Sequence, residues 1–329
     1  MTTAVRSHLV RFTILLATVV VVNFLLPRLL PGSPLSGAAG EGAVAFLPSG
    51  ALAEIRRAYG LDQPLAAQFV RYLDGLRRGD LGRSLATHRP VATMVGERLP
   101  WTLGLLGGTV LLAAAIGAVL GTVAAWRPHG WKARLAEPVV VGVGALPEFL
   151  VAMALIVGLG TGLKLFPVGG ATAPFLTPAG AAGWLRALGD VLAHAALPGA
   201  TLVIALAPAF FLLSRNALAA VLGERYLLTA RGKGLGEGRI LWHAWRNAIP
   251  PVLTLLGLRL AFAVTGAALV ERIFAYPGIG LLLFEAVVRR DYPVIQGVFL
   301  IASVIIVTTN VTLDLAAAWL DPRTRQARE

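Results

Sequence analysis

Six apolar runs separated by short polar segments dominate the chain. A bilayer core of about 30 Å needs roughly 20 apolar residues in a helix, and each run has about that length with few charges. The runs lie approximately at 11–28, 99–126, 138–162, 194–213, 248–270 and 293–320. This pattern predicts an all-α, polytopic membrane protein with six transmembrane helices.

The composition agrees with a location in a membrane. Of the 329 residues, 57% are hydrophobic and 14% are charged, and the mean hydropathy is +0.75. Ordinary soluble domains are less apolar. The net charge of +12 raises the question of nucleic-acid binding. The basic residues are scattered between apolar runs and form no patch interleaved with aromatic residues, so we expect no nucleic-acid partner.

The first apolar run has two interpretations. With Arg6 and Arg11 before it, the run has the charge pattern of a cleaved signal peptide. Its apolar part is long for such a peptide, however, and Pro27 and Arg28 end it as they would end a membrane helix. We therefore interpret it as a retained anchor.

Basic residues in short flanking segments predict the orientation. If the N-terminus is inside, the cytoplasmic segments hold fourteen basic residues: Arg6, Arg11, Arg127, Lys132, Arg134, Arg215, Arg225, Arg231, Lys233, Arg239, Arg246, Arg323, Arg325 and Arg328. The two short external loops hold five: Lys164, Arg186, Arg272, Arg289 and Arg290. Both termini are therefore predicted to be cytoplasmic.

This orientation divides the chain into four parts. Residues 1–30 form the cytoplasmic N-terminus and first membrane helix, 31–98 an extracytoplasmic segment, 99–320 a five-helix membrane core, and 321–329 a cytoplasmic tail. Within the extracytoplasmic segment, Leu52–Gly60 and Leu65–Leu76 have helical spacing, with Pro64 placed as at a first turn.

A polar, glycine-punctuated stretch at 224–250 interrupts the apolar pattern on the cytoplasmic side. Glu224–Arg231 has the spacing of a short helix, glycines follow at alternate positions, and Arg239–Ala248 can resume a helix before Pro250 and Pro251. Apolar and basic side chains are mixed along this helix–turn–helix. Such a mixture favours a surface that is presented to another protein.

The segment Thr229–Leu235, with His243–Ala248 and Pro251 after it, resembles the EAA loop of ABC importer permeases, in the peptide/nickel branch. The resemblance implies a coupling helix that docks on a cytoplasmic ATPase. The implied coupling residues are Thr229, Ala230, Arg231, Lys233, Gly234 and Leu235. Leu228 departs from the general motif, which has glutamate at that place.

Further motifs extend the resemblance over most of the chain, and they match the B-type subunit of dipeptide/oligopeptide permeases. These motifs are Tyr59–Leu65, Gly79–Ser84, Arg89–Val91, Arg98–Leu103, Glu271–Gly280, Arg290–Pro293 and Leu320–Arg323. The resemblance implies the type I ABC importer permease fold and a multi-pass protein of the bacterial plasma (inner) membrane. It implies as partners a second homologous permease subunit, two ABC ATPase subunits, an extracytoplasmic substrate-binding protein and membrane lipid. The implied substrate is a peptide, with a nickel chelate, haem or another small solute as alternatives.

We expect no catalytic residue, metal site or bound cofactor in this chain. Lys233 is followed by Gly234, and no G-x-x-x-x-G-K-[ST] motif occurs, so ATP and Mg would be used by the partner ATPase subunits. An intramembrane hydrolase would need a nucleophile near a base, yet the five histidines occur singly. An ATP-independent channel or carrier is a further alternative. A carrier would normally show inverted repeats or an intramembrane acid relay.

Three charged residues within the apolar runs are candidates for the translocation path: Glu148, Arg259 and Asp314. An ionised group at the bilayer centre costs about 2.5–3.5 kcal/mol unless it faces protein or water. Glu148 and Arg259 would lie about 15 and 17 Å along unbroken helices, at nearly matching depths. They would pair with each other, line the aqueous path, or pair with the other permease subunit or snorkel.

The resemblance separates these three residues. Glu148 and Arg259 replace a small polar residue and a glutamine that are usual in the family, which relates both to this protein's own substrate. Asp314 matches the family pattern and lies near the cytoplasmic end of its helix, where it would serve helix packing or the inner gate.

Two pairs of small residues lie on the second apolar run. Gly104 and Gly108, like Gly117 and Gly121, are four residues apart and would suit a helix dimer. Close packing within one subunit also needs small residues, and we favour that interpretation.

Overall fold

The computed structural model describes residues 13–25, 62–128, 130–173, 180–261 and 267–320. Its helices are α1 (Thr13–Leu25), α2 (Leu65–Arg77), α3 (Val91–Trp126), α4 (Trp131–Gly144), α5 (Glu148–Leu155), α6 (Gly180–Leu222), α7 (Arg225–Gly232), α8 (Glu237–Ala261), α9 (Ala268–Ile273), α10 (Ile279–Val288) and α11 (Tyr292–Leu320). A π-helical segment, Ile156–Gly162, follows α5. Over the described ranges, β pairing is limited to one isolated bridge between Arg83 and Pro90, so the all-α prediction is confirmed.

Three of the described helices are long and apolar enough to cross a membrane. They are α3, α6 from Gly183 and α11 up to Thr312, and the bent pair α4–α5 counts as a fourth if it forms one span. The first predicted span falls on α1, and the fifth on α8 followed by residues outside the described ranges. The polytopic prediction is confirmed, and within the described residues each of the six apolar runs contains helix.

The third predicted span is not one straight helix. Its two parts, Arg134–Gly144 and Glu148–Gly162, meet at 97°. Pro147 adopts φ −58° and ψ 137° between them. A proline lacks the N–H that a helix interior uses, and it disfavours helical backbone in the residue before it. The prediction of an unbroken helix over 138–162 was therefore wrong, and with it the depth estimated for Glu148.

The chain divides into two compact units, the first of which comprises Met1–Trp101 and Pro277–Glu329. In this unit α1 carries Phe24, whose ring lies 5.0 Å from Phe69 and 5.7 Å from Tyr72 on α2. The Asn23 Nδ2 group donates hydrogen bonds to the Tyr72 hydroxyl at 3.0 Å and the Gln296 carbonyl at 2.9 Å. These contacts hold α1, α2 and α11 together.

The segment at 31–98, which is predicted to be extracytoplasmic, is described in part. The predicted helix Leu65–Leu76 is confirmed as α2, and Pro64, with φ −54° and ψ 145°, is its N-cap residue. The predicted helix Leu52–Gly60 lies outside the described residues, as does the tail at 321–329. The four-part division of the chain stays a prediction.

The second unit comprises Thr102–Tyr276, and α6 lies at its centre. This helix packs against α4, α5 and α8. Its Phe210 is fully buried in a cluster with Val110, Ala113 and Val252, which come from α3 and α8. The 43-residue length of α6 thus allows one element to contact most of the unit.

The two glycine pairs of α3 have different surroundings. A Cβ atom at Gly117 would lie 2.5 Å from the Ala207 carbonyl oxygen, and Gly121 is equally close to the α6 backbone. No atom lies within 4 Å of a Cβ built on Gly104 or Gly108. Packing within the subunit therefore explains Gly117 and Gly121 and leaves the other pair unexplained.

Candidate functional site

The polar stretch at 224–250 folds as a helix, a tight turn and a second helix. At the end of α7, the Leu235 N–H donates to the Ala230 carbonyl at 3.3 Å and the Gly234 N–H donates to the Arg231 carbonyl at 2.9 Å. This pair of bonds is the Schellman motif, which places a left-handed residue just after a helix. Gly234 occupies that position with φ +75°. The turn therefore requires glycine at 234, since a side chain penalises positive φ.

Buried apolar side chains anchor this helix–turn–helix to the ends of two membrane helices. Leu227 from α7 and Ile240, Ala244 and Ala248 from α8 pack with Ala125 of α3 and Leu218 of α6. The Asn247 Nδ2 group also donates a 2.7 Å hydrogen bond to the hydroxyl of Tyr226, which links the two arms of the turn. The turn is therefore packed directly against α3 and α6.

The outer side of the turn is exposed and mixes basic and apolar groups. Of the predicted coupling residues, Thr229, Arg231, Lys233 and Gly234 are exposed, whereas Ala230 and Leu235 are partly buried. Leu228 and Trp242 are 63% and 61% exposed, and the Trp242 ring stacks on Trp245 with centroids 6.1 Å apart. We call this outer side of the turn, residues 228–235 with Trp242, the coupling surface, after the role predicted for it.

The sequence had suggested that the helix of the second arm ends before the two prolines. In the structure it continues past them. Helix α8 runs without interruption from Glu237 to Ala261 and contains both Pro250 and Pro251. The prolines remove the N–H donors that would pair with the Arg246 and Asn247 carbonyls. Both of these residues are exposed, so water can solvate their carbonyls. One helix therefore joins the coupling surface to the fifth predicted span.

The structure places Glu148 and Arg259 near each other without a direct ion pair. Glu148 begins α5 directly after the bend and is partly buried, while Arg259 is exposed in the last described turn of α8. Arg259 interacts electrostatically with the Glu148 carboxylate. Among the described residues, the ion pairs with N···O within 4.0 Å do not include these two. Asp314 lies on α11, and its side chain is outside the described set.

Several polar contacts were missed by the sequence reasoning. Arg215 of α6 forms a 2.8 Å ion pair with Glu137 of α4. Thr102 and Glu271 form a buried hydrogen bond, and so do Ser84 and Asp291. The last four residues lie in motifs that had been quoted only for the family resemblance, so the signal was present but had no assigned role. The described residues contain no group of three or more His, Cys, Asp or Glu side chains placed to hold a metal.

Comparison with known proteins gives matches along nearly the whole chain. A family model described as binding-protein-dependent transport system inner membrane component matches residues 117–326, and a model for the N-terminal part of such membrane components matches residues 1–106. The chain is 34% identical over 323 residues to a probable peptide ABC transporter permease protein of Sinorhizobium fredii, covering 98% of each chain. It is 36% and 35% identical over 313 residues to glutathione transport system permease proteins of Salmonella paratyphi A and Pectobacterium atrosepticum, with 94% of each chain covered.

Proposed function

We propose, since this chain belongs to the family of binding-protein-dependent transport system inner membrane components, that it is the permease subunit of an ATP-driven peptide importer. The observation that carries this proposal is the exposed coupling surface, which is continuous through α8 with a predicted membrane span. A partner that moves this surface would move the membrane helix directly.

The energy for transport comes from partner subunits in this proposal. Two ABC ATPase subunits bind ATP and Mg and contact the coupling surface, a second homologous permease completes the path, and an extracytoplasmic protein delivers the substrate. The chain itself has no ATPase site and binds no cofactor. With both termini in the cytoplasm, the coupling surface faces the ATPases. ATP binding then switches the helices between inward-facing and outward-facing states by rigid-body motion.

The substrate is a peptide in this proposal. The support comes from the relatives, one named for peptide transport and two for transport of glutathione, which is itself a small peptide. A nickel chelate, haem or another small solute is the alternative. Glu148, Arg259 and Asp314 are assigned to the translocation path, where the first two would face the charged groups of the substrate.

Reconstitution of the purified complex tests the proposal. The chain is purified with its ATPase and second permease subunits, placed in proteoliposomes, and supplied with the binding protein and a labelled dipeptide. Uptake is expected with ATP and not with ADP. Equal uptake under both conditions would instead indicate an ATP-independent channel or carrier, and ATP-driven uptake of haem or a nickel chelate but of no peptide would shift the substrate class.

A further inference from the structure

The unit Thr102–Tyr276 contains a partly open cavity of about 210 Å³ between α3, α6 and α8. Its lining is almost wholly apolar and includes Ala114 and Ala118 of α3 and Trp245, Val252 and Leu256 of α8. An engineered apolar cavity of about 150 Å³ is large enough to bind benzene. The present cavity therefore has room for one branched aliphatic or aromatic side chain.

The cavity also contains a polar group without a partner. Ser214 of α6 lines it and is only 4% exposed. Within the described part of the chain, its hydroxyl oxygen has no hydrogen-bond partner. Buried hydroxyl groups are nearly always hydrogen-bonded in folded proteins. An occupant that brings a polar backbone group alongside its apolar side chain would satisfy this hydroxyl.

Arg259 lies on the same face of α8 as the cavity lining, one turn further along. At about 100° per residue, it is rotated about 60° from Leu256 and about 20° from Val252 around the helix axis. Val252 and Leu256 line the cavity, whereas Arg259 is exposed. A cation therefore follows the apolar cavity at a rise of about 4.5 Å from Leu256.

The charge of Arg259 is not neutralised by direct contact within the described residues. No ion pair includes it, and Glu148 acts on it only through a longer-range electrostatic interaction. Residues near both of them in sequence contact the same stretch of α6. Leu260, next to Arg259, packs against the cluster around Phe210, and a Cβ at Gly144, four residues before Glu148, would contact Pro208. Opposite charges that interact without forming a direct ion pair suit a zwitterionic ligand.

We propose that this cavity and Arg259 form a substrate subsite that selects peptides by a free carboxylate next to an apolar side chain. The side chain enters the cavity, the carboxylate pairs with Arg259, and Glu148 attracts the amino group. The inference rests on the proposed transport of peptides and adds selection within the membrane subunit itself, independent of the binding protein.

Equilibrium binding to the purified permease–ATPase complex, with no binding protein present, tests the subsite. The probes are radiolabelled alanyl-leucine, its C-terminal amide, and alanyl-glycine. Wild-type complex is expected to bind alanyl-leucine at least about tenfold more tightly than the amide. Arg259→Gln should remove this preference, while Arg259→Lys should keep most of it.

The cavity is tested by filling it. Ala118→Leu should weaken binding of alanyl-leucine and leave alanyl-glycine unchanged, because only the larger side chain needs the space. The matched control is Val119→Leu on the neighbouring, 62% exposed position outside the cavity. All variants are compared at equal monodispersity on gel filtration.

Three results would overturn the subsite. They are a carboxylate preference that survives in Arg259→Gln, an equal loss of both peptides in Ala118→Leu, and the absence of any peptide binding to the wild-type complex. ATP-driven uptake is measured separately with the binding protein. Uptake without any of the expected selectivity would therefore leave the proposed function standing and remove only the subsite.

Discussion

The Thr102 hydroxyl donates a 2.7 Å hydrogen bond to the Oε1 atom of Glu271, and both side chains are fully buried. The bond joins the start of α3 in this unit to the short helix α9, 169 residues further along the chain. Burial, together with the nearby Glu271 charge, also raises the pKa of Tyr276. Two motifs that look unrelated in the sequence are therefore parts of one buried polar contact.

Replacing Thr102 tests the energetic weight of this contact. Thr102→Val removes the donor and leaves a buried carboxylate oxygen with one partner fewer, so we expect a loss of about 1–3 kcal/mol in stability. Thr102→Ser keeps the hydroxyl and is the matched control. In detergent, the unfolding temperatures of wild type and Thr102→Ser should be higher than that of Thr102→Val. Equal unfolding temperatures for the two variants would show that the bond contributes nothing.

Asp291 has a similar role in the other unit. Its buried carboxylate accepts hydrogen bonds from the Ser84 hydroxyl and from the backbone N–H groups of Leu85, at 3.0 Å, and Ala86, at 3.3 Å. Asp291→Asn replaces one accepting oxygen with a donor group, so at least one N–H or hydroxyl loses its acceptor. We expect a loss of about 1.5–3 kcal/mol, as for hydrogen bonds to charged groups.

Limited proteolysis of the loop at 84–90 measures the effect of Asp291→Asn, because loss of these bonds should release that segment locally. Ser84→Ala removes one of the three donors and should give a smaller increase in cleavage. Cleavage of Asp291→Asn at the wild-type rate would contradict the assigned role.

The predicted orientation is tested with single cysteines, which the absence of native cysteine makes possible. The external position should be Arg78 and not Gly79, because Gly79 has φ +74° and a side chain there would be strained. The internal position is Gly236, where a Cβ would meet no atom within 4 Å. An impermeant maleimide should label Arg78→Cys in intact cells and Gly236→Cys only after lysis. Equal labelling of both in intact cells would exclude the topology.

The relationship between Glu148 and Arg259 is tested by a double-mutant cycle. Because the structure shows an electrostatic interaction and no direct ion pair, Glu148→Gln and Arg259→Gln should each change stability by less than about 1 kcal/mol. Their effects on peptide uptake should be non-additive, since both groups face one substrate in the proposed subsite. Large stability losses in the single variants that are recovered in the double variant would instead establish a buried pair. Simple additivity in stability and uptake would remove any coupling.

The membrane helices were predictable because apolar runs of about 20 residues have few alternatives to a transmembrane helix. The sequence did not predict two features of these helices. One is the bend at Pro147, and the other is the continuation of α8 through Pro250 and Pro251. Proline both ends helices and occurs inside them, and the outcome depends on whether the freed carbonyls reach water and on the packing of the helix face. For α8 that packing involves Ile240, Ala244 and Ala248. Their contacts come from other helices, so they are known only once the fold is known.

The candidate site was predictable to a similar extent. The turn at Gly234 follows from local chemistry, since alternating glycines after a helix favour a left-handed cap. The cavity near Arg259 does not follow from local chemistry, because it arises where three helices from distant parts of the chain leave a gap. Likewise, no local pattern indicated that Ser84 would meet Asp291. Interactions across long sequence distances become visible only in the folded chain.

The most direct test of the central claim compares peptide-stimulated ATP hydrolysis and peptide uptake in proteoliposomes containing wild type or Gly234→Val. The variant forces a β-branched side chain into φ +75°, although the space around the position is open, so the turn must change shape. Gly142→Val is the matched control, since Gly142 also has open space but lies on α4, away from the coupling surface. With both variants inserted at wild-type levels, the account predicts that Gly234→Val loses stimulated hydrolysis and uptake together while the control keeps both. Wild-type coupled transport by Gly234→Val would contradict the claim that this turn links the ATPase subunits to the permease.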